Sequence, residues 1–278
     1  MRKMKLLKEL LIIIAISLIA FYVLLPIAEM CAISFRPQEE MRMYKALVKI
    51  PSHPTLANYK WVFTYSIFPR NLLNTLLVGG IVALLGIFVT IFAAYSLARF
   101  RYKALGPISI FFLMLQMFPY VLLLIPIYLI WSKLKMTDTY VALILTFCTF
   151  VFPFCVWMLK SYFHGIPQDL EEAAMIDGCT RMQAIVKIIL PILSPGIIAV
   201  ALFSFVLAWQ EFLYASVLIR TNEMATVVPA IYMYTATSRT EWSIIAAECM
   251  MAIVPVAILF VYLQKYLIAG LTAGAVKG

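Results

Sequence analysis

Four of the thirteen acidic residues in this 278-residue chain stand within nine positions of one another: Asp169, Glu171, Glu172 and Asp177. They belong to IPQDLEEAAMIDGCTRMQAIVKIILP, residues 166–191, which separates two long apolar stretches. Charge gathered on a short helix-forming segment can meet the basic rim of another protein, or it can simply solvate a loop helix. A second group, Trp209, Gln210, Glu211 and Tyr214, sits inside an apolar run, with Gln116 and Tyr120 in another. A carboxylate near the centre of a membrane helix costs about 2.5–3.5 kcal/mol. Glu211 is therefore expected to face a bundle interior, a partner chain or water, either as part of a polar and aromatic wall for cargo or as a structural carboxylate bonded across a subunit interface. Glu248 poses the same choice.

Bond-making chemistry finds no support. The chain has no G-x-x-x-x-G-K-[S/T] phosphate loop, no H-E-x-x-H and no serine–histidine or cysteine–histidine constellation. His53 and His164 stand alone, and Cys31, Cys148, Cys155, Cys179 and Cys249 show no C-x-x-C spacing. No catalytic residue, metal site or disulfide framework is predicted.

The elements that must position these residues are membrane helices. Hydrophobic residues make up 64% of the chain and charged residues 13%, with a mean hydropathy of +0.99. A soluble domain has too little interior for that much apolar surface; a bilayer supplies it, at roughly 20 apolar residues per crossing. Six stretches qualify, about 10–34, 72–98, 105–131, 141–163, 195–219 and 244–267. The net charge of +9 is spread through loops, which excludes a nucleic-acid face and suits lipid headgroups. The opening MRKMKLLKELL resembles a signal peptide, but its apolar run is too long for a cleaved one, and a retained first span is expected. Basic residues at the N-terminus and in ARFRYKA (98–104) place both on the cytoplasmic side. That puts the loop at about 164–194 and the C-terminus there too. The whole chain, 1–278, reads as one membrane domain, with Pro119, Pro126, Pro153 and Pro255 at span edges or inside spans.

Within 166–191 the local signals are dense. Pro167 suits a first helical position, Asp169 the positive end of the helix dipole, and Gly178 a left-handed C-terminal cap. Thr180 with Gln183 forms a capping-box pattern that opens a second helix running to Pro191. Ala173 and Ala174 are small enough to let a partner surface approach closely, and Glu171 and Glu172 can offer charge to it.

Glu172-Ala173-Ala174, then Asp177-Gly178, then Ile188-Ile189-Leu190-Pro191 resembles the EAA loop of ABC-importer membrane subunits, with Cys179 where alanine is commoner. PTLANYKWVF (54–63), NLLNTLLVGG (71–80), AAYSLARFRY (93–102), AWQEFLYA (208–215) and GLTAGAVKG (270–278) resemble the carbohydrate-uptake branch, closest to its maltose-type six-span subunit. Gln210 departs from the asparagine common there. The resemblance implies an all-α, six-helix type I importer permease (MetI-like) fold, in a bacterial or archaeal cell membrane. It also implies a coupling helix at Glu171, Glu172, Ala173, Ala174, Asp177 and Gly178 that docks on a separate cytoplasmic ATPase dimer. ATP and Mg would be bound by that partner, and this chain would hold no cofactor. A second homologous permease and an extracellular solute-binding protein would complete the assembly, with a di- or oligosaccharide as cargo. Other solutes such as glycerol phosphate, or ion-coupled secondary transport, are the alternatives.

Overall fold

A backbone in lipid finds no water for its amides and carbonyls, so it satisfies them within helices. The computed structural model describes residues 2–42, 51–100, 102–235 and 241–275, and among them every regular element is helical. Side chains are described within 8–41, 51–100, 102–235 and 241–265; Arg2, Lys3, Lys5, Arg42, Arg101 and the ending 270–278 fall outside these.

The order runs α1 (Arg2–Ser34), α2 (Gln38–Arg42), α3 (Ala57–Tyr65), α4 (Phe68–Arg99) and α5 (Leu105–Met117). After a 3-10 turn at Tyr120–Leu123 come α6 (Leu124–Lys133), α7 (Tyr140–His164) and α8 (Asp169–Ile176). Next are α9 (Arg181–Ala184), a π-helical turn at Ile185–Ile189, α10 (Leu190–Ile192) and α11 (Ser194–Gln210). α12 (Leu213–Leu218), α13 (Val227–Thr235) and α14 (Trp242–Ala275) complete the chain.

Among the described residues four helices, α1, α4, α7 and α14, are long and apolar enough to cross a membrane unbroken. Two bent helix pairs are long and apolar enough only when each pair is taken together. Leu105–Met117 turns by 90° into Tyr120–Lys133, and Arg181–Ile192 turns by 77° into Ser194–Gln210, which makes six if each pair is one span. The expected continuous span at 105–131 is thus corrected. Proline crowds the residue before it out of the helical region, and Phe118 accordingly takes φ −77, ψ 126, ending α5 ahead of Pro119. The expected span at 195–219 also breaks, at Glu211. Pro153 and Pro255 remain inside continuous helices.

The chain forms two compact units. One comprises Met1–Pro69 with Ile231–Val254. Here Asn58 donates from Nδ2 to the carbonyls of Ser34 (2.8 Å) and Arg36 (2.9 Å), fastening α3 to the end of α1. Gln38 donates to Glu241 at 3.3 Å, and the rings of Trp61 and Tyr234 lie 6.2 Å apart. Glu248 is buried within this unit, on α14.

The other unit comprises Arg70–Ala230 with Pro255–Gly278 and holds a continuous apolar core. α7 runs through it, capped by Thr139, whose Oγ1 accepts from the Ala142 amide at 3.2 Å. Its buried face, including Phe147, Val151, Cys155 and Leu159, packs on α11, α5 and α12. Glycines on α4 allow close helix contact. A Cβ at Gly86 would lie 2.7 Å from Ser204 Oγ, and one at Gly79 would lie 3.2 Å from the Phe205 ring.

Candidate functional site

The acidic loop folds as its local signals direct, with two shifts and one reversal. α8 begins at Asp169, two residues after Pro167. It ends in a left-handed corner at Gly178, φ +91. The Gly178 amide donates to Met175 O at 3.2 Å and the Cys179 amide to Ala174 O at 3.0 Å, the paired bonds of a Schellman cap. Thr180 and Gln183 then bond reciprocally, at 3.3 and 2.8 Å, and open α9. The second helix does not stop at Pro191 but passes through it to Ile192, with the π-helical turn inside.

The reversal concerns Glu171, expected to offer charge outward. It is 7% exposed and points into the protein. Tyr95 Oη donates to its Oε2 at 2.9 Å, and Arg99 Nε donates to its Oε1 at 2.5 Å. A second Arg99 nitrogen donates to the Ile166 carbonyl at 3.0 Å. A buried carboxylate needs such a partner, because desolvation makes an unpaired charge very costly. Glu172, Ala173, Asp177 and Gly178 are exposed, while Ala174 is buried. Ile176, at the tip, is 85% exposed and stands beside Met175. The face α8 presents outward is therefore a small apolar knob flanked by Glu172 and Asp177. Ile176 carries no distinguishing signal in the sequence, because it looks like any other helix-filling apolar residue.

The second group lies where two broken helices meet. At Pro119 the chain leaves α5, and at Glu211 (φ −71, ψ 123) it leaves α11. Glu211 does not sit at a helix centre: its two carboxylate oxygens accept the amides of Tyr214 and Ala215, each at 3.0 Å, and cap α12. Tyr214 Oη donates to the Tyr120 carbonyl at 2.6 Å, satisfying a backbone group freed by the break. Between them is a cavity of about 430 Å³ lined by Tyr120, Phe150, Leu207, Gln210, Glu211, Phe212 and Leu213. Of the six residues expected on a cargo path, Tyr120, Gln210 and Glu211 line it. Tyr214 is fully buried behind it, and Trp209 is buried against Phe205 with ring centroids 5.3 Å apart. Gln116 is exposed on α5 and does not line the cavity. The apolar wall of Phe150, Leu207, Phe212 and Leu213 carried no sequence signal, since only the tertiary meeting of two breaks turns it inward.

Residues 60–272 match the family of binding-protein-dependent transport system inner membrane components. A sulfoquinovosyl glycerol transport system permease of Agrobacterium fabrum is 36% identical over 265 residues, covering 95% of this chain and 93% of that protein. A trehalose/maltose transport system permease of Thermococcus litoralis is 34% identical over 275 residues, 98% of each. A chain in the crystal structure of a bacterial ABC transporter involved in import of the acidic polysaccharide alginate superposes with a TM-score of 0.80. It shares 20% identity and covers 94% of this chain and 96% of its own, a likeness of fold.

Proposed function

We propose that this chain, which belongs to the family of binding-protein-dependent transport system inner membrane components, is the membrane-spanning subunit of an ATP-driven carbohydrate importer. The observation that carries the reading is α8. Its capped, outward-facing knob at Ile176, with Glu172 and Asp177 beside it, is shaped to enter a cleft on another protein, while Glu171 anchors it from behind. ATP and Mg belong to a separate ATPase pair, which closes, carries α8 with it and opens the spans to the outside; hydrolysis returns them. The N- and C-termini and the loop at about 164–194, of which 165–193 lie between α7 and α11, are on the cytoplasmic side. A second, related permease and an extracellular solute-binding protein complete the assembly, in a bacterial or archaeal inner membrane.

The two relatives reported above are named for transport of sulfoquinovosyl glycerol and of trehalose/maltose, which favours a carbohydrate over glycerol phosphate or ion-coupled cargo. The cavity suits such a ligand. Tyr120, Phe150 and Phe212 offer rings to the apolar faces of a sugar, and Gln210 and Glu211 offer acceptors to its hydroxyls.

The test is gentle purification of the tagged chain from its native membrane, with mass spectrometry of what accompanies it. A co-purifying ATPase and second permease are expected. A chain that emerges alone or self-paired, even after cross-linking, would overturn the reading.

A further inference from the structure

α4 is fastened by its own side chains at both ends. At its last turn Tyr95 and Arg99 hold Glu171 of α8, and the Tyr95 ring meets Phe163 edge-on at 5.7 Å. Phe100, next along the chain, lies under the Arg181 guanidinium at 5.3 Å, so α9 is gripped as well. At its first turns Asn71 Nδ2 donates to the carbonyls of Asn222 (2.8 Å) and Ala225 (2.9 Å). Asn74 Nδ2 donates to Glu223 (2.8 Å) and Ala225 (3.0 Å), and the Val227 amide donates to Thr75 Oγ1 at 2.8 Å. Five hydrogen bonds thus tie the turn at 219–227 to one end of a helix whose other end holds α8.

The helix is 32 residues long, about 48 Å at the α-helical rise, enough to cross a bilayer with its headgroups. Neighbouring elements of the same unit are less suited to carry a displacement. The third crossing bends by 90° at Pro119, α11 stops at Glu211, and α7 contains Pro153. α4 has no proline beyond its first turn. It also meets α11 through Gly79 and Gly86, where no side chain of its own interlocks. The far clamp has hydrogen-bonding capacity in reserve, since Asn71 Oδ1 and Thr226 Oγ1 are buried without a partner among the described residues. Buried polar atoms in that state favour any second arrangement that satisfies them.

We infer that α4 is the rod that makes α8 and the turn at 219–227 move as one, with Glu171–Arg99–Tyr95 as its latch and Asn71, Asn74 and Thr75 as its far clamp. The inference rests on the proposed function, in which α8 is driven by an ATPase. These are positioning residues, acting through the helix.

The test uses the chain purified with its co-purifying ATPase in lipid nanodiscs, carrying Glu223→Cys at an exposed side chain of the turn. The rate of cysteine modification by a charged maleimide is read without nucleotide and with ATP plus vanadate, as the increment over the parent chain. Nucleotide is expected to shift that rate by about 5-fold or more. Glu171→Gln, or Asn71→Ala with Asn74→Ala, is expected to return it to the nucleotide-free rate, and breaking both ends adds nothing further because one link is broken either way. The exchange Arg99→Glu with Glu171→Arg restores a shift, which separates a broken latch from a misfolded loop. An undiminished shift in the latch variants overturns the inference. So does a Glu223→Cys chain, otherwise unaltered, in which a bound, active ATPase moves the turn not at all; the reading of function survives both results. If no ATPase accompanies the chain, function and inference fall together.

Discussion

The loop at 165–193 and the cavity between the two helix breaks are both polar sites in an apolar chain, yet they are built in opposite ways. In the loop each local device closes on neighbours in sequence: the Gly178 corner with Met175 and Ala174, the Thr180–Gln183 box, and the helix they separate. In the cavity the decisive bonds join distant segments, Tyr214 to the Tyr120 carbonyl across 94 positions, and the ring of Phe150 to that of Tyr214 at 5.0 Å. Water can satisfy any loop group left over, so a loop can be specified by short-range rules. A group freed inside the membrane must find a protein partner, so the cavity exists only when the fold is complete. Variants of the loop should therefore disturb coupling and leave the fold; variants of the cavity should disturb cargo and stability together.

The largest effect is expected at Gly178. Its φ of +91 is closed to proline, whose ring fixes φ near −65°, and the substitution also removes the amide that bonds Met175. The local cost is about 3 kcal/mol or more, enough to destroy the corner. Gly178→Pro should abolish coupled uptake while the chain still inserts in the membrane and ATP is still hydrolysed. Normal uptake by that variant would remove the loop's side of the comparison.

Next comes Tyr214→Phe. It leaves the Tyr120 carbonyl without its donor at 2.6 Å, and an unsatisfied buried group costs about 1–3 kcal/mol. The variant should unfold at a lower temperature in detergent and lose transport in proportion. An unchanged melting temperature would show that the two breaks do not depend on one another.

These two substitutions also mark what could be read from residues alone. Gly178, the capping box and the existence of helices at 72–98 and 141–163 are local or periodic facts, and they stand in α8, α9, α4 and α7. Glu171 was visible as an acid but its direction was not. Two adjacent glutamates on one helix point about 100° apart, and only the arrival of Arg99, 72 positions away, decides which one is buried. Arg99 itself looked like one more basic residue at a membrane edge. The break at Pro119 was visible only as a proline, because Pro153 and Pro255 carry the same signal and leave their helices unbroken. Neighbouring helices decide which prolines end a span.

A smaller effect is expected for Glu211→Ala. Losing the two amide bonds of the α12 cap costs about 1 kcal/mol. If the carboxylate also meets cargo, uptake should fall by more than that stability loss explains, with the apparent affinity for sugar weakened while nucleotide-driven changes at α8 persist. A variant that loses stability and uptake in step would make Glu211 a cap alone and narrow the cavity's role to its aromatic wall.

The smallest effect tests the far edge of the cavity's fold, the link between the 134–139 loop and the turn at 219–222. Slight burial works to raise the Asp138 carboxyl, but the amides of Arg220 (2.9 Å) and Thr221 (3.1 Å), the Thr221 hydroxyl and the Arg220 charge outweigh it. They hold the group below its ordinary value of 3.8. A carboxylate so depressed contributes stability that is fully present above its unfolded value and is lost as pH falls through the folded one. The amides of Arg220 and Thr221 should therefore keep their protection against hydrogen exchange from neutral pH down to the ordinary carboxylate range, and lose it only below that. Asp138→Asn, which has one acceptor and no charge, should weaken the protection slightly and remove its dependence on pH. Asp138 takes φ +62, a conformation asparagine also tolerates, so the variant changes the charge without straining the loop. Protection that still falls with acid in Asp138→Asn would assign the titration to another group and leave this link governed by backbone geometry.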